Sequence, residues 1–171
     1  MKIRFLTMLP AMLAVFALPG ISGPGESANF VSPMSGDQEV PARETHATGV
    51  LVLKLDAEGA TLHYKLLVAN IENVVAAHIH CAATGVNGSV GVTLFGPAAA
   101  GGGRTDGVLA EGDVTAPDAG NGCGWTDLVS VVSALRSGDT YVNVHTNDGI
   151  APTNTGPGDF PGGEIRGQIK E

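Results

Sequence analysis

The chain has 171 residues, with 17 Asp and Glu against 9 Lys and Arg and a formal net charge of −8. A protein this acidic repels nucleic-acid phosphates and anionic lipid head groups, so no nucleic-acid partner is expected. Its two cysteines offer no CxxC pair for a thiolate metal site, and 25 glycines favour short elements joined by turns.

Residues 1–25 read as a secretory signal peptide. Lys2 and Arg4 form a positive n-region, Phe5 to Leu18 an apolar stretch interrupted by Pro10, and turn-forming residues run from Pro19 to Gly25. The apolar stretch falls short of the ~20 residues that a membrane helix needs. No cysteine stands near the junction to carry a lipid, and small residues between 17 and 28 offer several cleavage points. The mature protein is expected to be secreted or periplasmic, with no transmembrane span. Without Lys2 and Arg4, seven basic residues face 17 acidic ones, a net charge near −10. About 145 residues remain, one domain of ordinary size.

That domain opens with a short strand, Phe30 to Ser32, and a turn-like run from Ser35 to Pro41. Leu51, Leu53 and Leu55 alternate against Val50, Val52 and Lys54, and Leu62, Tyr64, Leu66 and Val68 alternate in turn. With Asp56-Ala57-Glu58-Gly59 between them, the two runs predict a β-hairpin. Val74 to Cys81 and Ser89 to Phe95 predict the next strands, and Gly96 to Gly103 is low-complexity loop. A short strand is expected near Val108, Leu109 and Val114. Leu128, Val131, Val132 and Leu135 follow the i, i+3, i+4, i+7 spacing of a short helix capped by Thr126 or Asp127. Thr140 to Thr146 and Glu164 to Ile169 complete the strands, separated by a Gly-, Pro- and Asn-rich loop. The pattern predicts an all-β antiparallel sandwich or barrel.

Cys81 and Cys123 form an even pair in a chain with an export signal, so they are expected to form a disulfide. Two thiolate metal ligands are the alternative. His78 and His80 share one face of their strand, roughly 6.5–7 Å apart along it. His145, on the Thr140 to Thr146 strand, completes a trio if the fold places that strand alongside. Three imidazoles suit copper or zinc; the competing reading is a cluster of hydrogen-bonded strand histidines. His46 and His63 are expected to be solvated. Glu164 and Arg166, on one face of the last strand, are expected to form a structural ion pair. No serine elbow, Cys/His nucleophile pair, phosphate loop or calcium-loop spacing is visible, so an enzyme is not the expected reading.

The residues Ser35 to Pro41, Asp56 to Gly59, Ala77-His78-Ile79-His80, Gly88 to Phe95, Tyr141 to Thr146 and Pro161 to Ile169 resemble, in order, the CHRD (chordin-type) domain. The resemblance covers nearly the whole mature chain, a domain over residues 29–171. It implies an extracellular immunoglobulin-like, Greek-key β-sandwich and no known reaction. A fainter local resemblance is to the copper-site strands of Cu/Zn superoxide dismutases, which carry His-x-His and a later strand histidine where His78, His80 and His145 stand here. The segment from Cys81 to Cys123 holds no histidine, so the bridging imidazole and zinc ligands of those enzymes have no counterpart. The context of Arg166 differs from that of their substrate-guiding arginine. The expected function is a secreted or periplasmic binding or envelope-associated module of undefined ligand. The alternative is a copper- or zinc-binding periplasmic protein with a three-histidine site, with or without redox chemistry.

Overall fold

The computed structural model describes residues 27–171, and the expected leader lies outside them. Eight strands and one helix follow the order β1 (Asn29–Ser35), β2 (Thr48–Leu55), β3 (Leu62–Glu72), β4 (Val74–Cys81), β5 (Ser89–Phe95), β6 (Arg104–Val114), α1 (Leu128–Ser137), β7 (Thr140–Thr146) and β8 (Ile165–Gln168). A 3₁₀ turn, Gly36–Gln38, follows β1.

The period-two pattern sets the inner face. Leu51, Leu53 and Leu55 of β2 and Leu62, Leu66 and Val68 of β3 are buried together with Ile79, Val142, Val144 and Ile165. In β3 the alternation slips once. A register shift between Val68 and Ile71, with Asn70 at φ 56°, restores the inward direction to Ile71 and leaves Asn70 exposed. Helix α1 buries Leu128, Val131, Val132 and Leu135, the expected stripe. Asp127 caps it by accepting from the Ser130 amide, and Gly138, in the left-handed region at φ 76°, ends it.

All neighbouring strands are antiparallel, and they form one sheet in the order β5-β4-β7-β8-β1-β2-β3-β6. Two four-stranded halves meet at a narrow seam, where Ser35 faces Arg166 and Val31 bridges to Lys170. The two ends of the sheet approach each other, and the Tyr64 hydroxyl donates to the Leu94 carbonyl at 2.8 Å. The hydrogen bonds thus describe a single curled sheet, nearly a barrel, where the resemblance implied two separate facing sheets.

Strand β6 runs for eleven residues, far longer than its apolar residues predict. It is an edge strand paired only with β3, and its polar side chains find cross-strand partners. Lys65 pairs with Glu111 at 3.0 Å, and His63, exposed as expected, pairs with Asp113. No helix among the described residues is long and apolar enough to cross a membrane.

Candidate metal centre

While β4, β7 and β8 turn Ala77, Ile79, Val142, Val144 and Ile165 into the core, they turn a polar set outward: His78, His80, Tyr141, Asn143, His145, Arg166 and Gln168. This outer face is not solvent-facing. His80, Tyr141, Asn143, Arg166 and Gln168 are all buried, because side chains and loops from residues 36–46, 82–88 and 147–163 make contacts over it. Glu39 reaches Asn143, Val86 and Asn87 hold Arg166, and Pro161 holds His145.

β4 and β7 are direct neighbours. His78 lies opposite Asn143, His80 opposite Tyr141 and Ala76 opposite His145, so His145 stands diagonally across from His78. The three expected residues therefore converge. His78 Nδ1 and His145 Nε2 are 3.1 Å apart, and one ring nitrogen from each histidine lies within 4.8 Å of the other two.

The partners of the remaining nitrogens fix the tautomers. His80 Nδ1 donates to the Gly88 carbonyl at 3.0 Å and His145 Nδ1 donates to the Pro161 carbonyl at 2.9 Å. A carbonyl only accepts, so Nε2 of both rings carries a lone pair. His78 Nδ1 then donates to His145 Nε2; to act as a ligand through that nitrogen, His78 would have to carry its proton on Nε2 instead. His80 Nε2 is buried without a hydrogen-bond partner among the protein groups, the situation in which a buried polar atom is served by a water or an ion.

Electrostatics keep the rings neutral. Burial, and then His145 and His80 beside it, push His78 down to about 4. Burial also lowers His80, against the pull of the Gly88 carbonyl, and lowers His145, against that of Pro161. Neutral imidazoles are the metal-binding form. Four tetrahedral ligands at 2.0–2.1 Å lie about 3.3 Å from one another, against 3.1 Å between His78 Nδ1 and His145 Nε2 and the 4.8 Å that bounds the whole set. Carbonyls that hold the distal nitrogens are the usual second layer of a histidine metal site.

Cys81 and Cys123 are bridged, with Cα atoms 5.7 Å apart. The bridge lies one residue beyond His80. The loop it anchors is tight, since a Cβ on Gly88 would collide with the Cys81 carbonyl. Only glycine at position 88 brings its own carbonyl to His80.

Glu164 and Arg166, expected as a structural ion pair, each make hydrogen bonds to other groups. Glu164 accepts from Thr45 Oγ1 (2.6 Å), Thr146 Oγ1 (2.7 Å) and the Gly158 amide (2.8 Å). Arg166 donates to Asn87 Oδ1 (3.0 Å) and the Val86 carbonyl (2.8 Å) and lies 3.4 Å over the Tyr141 ring. Both are fully buried; Glu164 is satisfied by Thr45, Gly158 and Thr146 of β7, and Arg166 by Val86 and Asn87. Tyr141, Asn143 and Glu39 escaped sequence reasoning as site residues. Only the alternation of Tyr141, Asn143 and His145 on one strand face hinted at the first two.

Fold and cluster together define an all-β domain with a buried, histidine-bearing polar face. Residues 30–169 match the family model of the CHRD domain, and the chain belongs to that family. Nothing among curated proteins or solved structures matches it. Family membership and the disulfide are consistent with an extracellular location.

Proposed function

We propose that the domain is an extracytoplasmic binding module whose ligand is one transition-metal ion, copper or zinc, held by His78, His80 and His145. The observation that carries this reading is the convergence of three ring nitrogens within 4.8 Å, one of them buried and unpartnered. A hydrogen-bonded histidine cluster accounts for His78 and His145 but leaves His80 Nε2 without a partner, whereas an ion uses all three. Imidazole donors suit copper and zinc, and exclude the oxygen-seeking calcium and magnesium. The acidic surface of the chain concentrates cations around it.

Calorimetric titration of metal-free protein with Zn²⁺ and Cu²⁺ tests the reading. One site per chain, lost in His80→Ala, is the expected result. Binding that is absent in the unaltered protein, or unchanged in that variant, rejects it.

A further inference from the structure

We infer that the side-chain oxygen of Asn143 is a fourth donor at this centre, so that the site is His₃Asn and closed toward the sheet. The inference rests on the three-histidine reading. Asn143 is 3% exposed and lies opposite His78 in the β4–β7 register, on the same face as His145. Its Oδ1 is buried and has no hydrogen-bond partner.

The orientation of its amide is set from the other side. Glu39 Oε1 lies 3.5 Å from Asn143 Nδ2. An ionised carboxylate accepts only, so the nitrogen must face Glu39 and the oxygen must face away from it. Gly163 makes room for this pair, since a Cβ there would collide with both Glu39 Oε1 and Asn143 Nδ2.

His78, directly opposite Asn143, and His80, two residues along β4, share its face of the sheet, and neither His80 Nε2 nor Asn143 Oδ1 has a hydrogen-bond partner. His80 Nε2 holds a lone pair, as its tautomer requires, and Asn143 Oδ1 holds two. Two buried acceptors on one sheet face, both without a partner, are costly unless a cation or a proton donor serves them. Two such atoms beside His78 Nδ1 and His145 Nε2 give three nitrogens and one oxygen, the complement of a four-coordinate ion.

The test uses Zn²⁺ for affinity and Co²⁺ for its coordination-sensitive visible spectrum. In Asn143→Ala the Zn²⁺ dissociation constant should rise on the order of 10–100-fold, and the Co²⁺ bands should shift. Asn143→Asp, which keeps an oxygen in place, should restore most of the affinity and the spectrum. In unaltered protein, Zn²⁺ should displace the side-chain amide resonances of Asn143, a readout that needs no variant to fold. Wild-type affinity and spectrum in Asn143→Ala, or an unmoved Asn143 resonance, overturns the inference while the three-histidine site stands. Failure of the unaltered protein to bind either ion, or undiminished binding in His80→Ala, overturns both.

Discussion

His80 and Tyr141 lie ring on ring, centroids 4.8 Å apart and 11° from parallel, and both grip the peptide of Gly88. His80 Nδ1 donates to its carbonyl, and its amide donates to the Tyr141 hydroxyl at 3.1 Å. Arg166 lies over the same tyrosine ring. β4 and β8 flank β7 on its two sides, so Tyr141 stands between a candidate ligand and a buried guanidinium. The stack and the Gly88 bond together restrict how the His80 ring can turn.

Tyr141→Leu removes the stack and the Gly88 bond together. Zn²⁺ affinity should fall about tenfold or more, as expected for a residue that orients a ligand. Tyr141→Phe keeps the stack and should lose less. Calorimetric titration of both variants checks the order.

Loss of the disulfide should act twice. The bridge spans 42 residues, and the chain-entropy model gives about 4 kcal/mol of stability for such a loop. Cys81→Ala/Cys123→Ala should therefore unfold at markedly lower denaturant. Because Cys81 follows His80 and packs against Gly88, Zn²⁺ affinity should drop as well, even at temperatures where the variant is fully folded. Denaturation by urea and titration with Zn²⁺ measure the two effects separately.

Stability of the metal-free protein should fall as pH drops from about 6.5 toward 4. His78, His80 and His145 all bind a proton less readily when folded than when unfolded. Their stabilising contribution is complete above the unfolded value of about 6.5 and is lost as pH falls through the folded values. Glu39 works the other way. Burial raises it to about 6, so its contribution is complete below about 4.5 and fades as pH rises through 6. Glu39→Gln removes that opposing term and should steepen the acid-side fall. Melting temperature against pH, in the presence of a chelator, reads both slopes.

Zn²⁺ at about 100 times its dissociation constant should add about 2.7 kcal/mol at pH 7. For a domain of this size that raises the melting temperature by about 5–10 °C. The rise should be absent in His78→Ala/His80→Ala. A thermal melt with and without the ion decides it.

Arg166→Lys should not substitute for arginine. The guanidinium donates in two directions, to Asn87 Oδ1 and Val86 O, while its plane covers Tyr141. A compact ammonium cannot do both, and it is more costly to keep dehydrated. We expect destabilisation of about 2–4 kcal/mol, in the range for a buried charge that loses its partners, measured by urea unfolding.

Local periodicity determined much of this protein. Two-residue alternation put His78 and His80 on one face of β4. The Leu128, Val131, Val132 and Leu135 stripe after Asp127 specified α1, and an even cysteine pair foretold the Cys81–Cys123 bridge. These features depend on residues a few positions apart, or on chemistry that holds wherever the chain folds. The length of β6 escaped because an edge strand tolerates polar side chains on both faces, so its alternation carries little hydrophobic contrast. Strand pairing decided the rest. Nothing within Thr140 to Thr146 says that it lies beside Val74 to Cys81, and that contact alone brings His145 to His78. The joining of the strands into one curled sheet is likewise a matter of which edges meet. Tertiary structure also buried the outer face. Loops from three distant segments cover Asn143 and Arg166, the latter expected from the sequence in an ion pair, and make this face a dehydrated polar layer. There an unpartnered nitrogen and oxygen acquire the energetic weight they would lack in water.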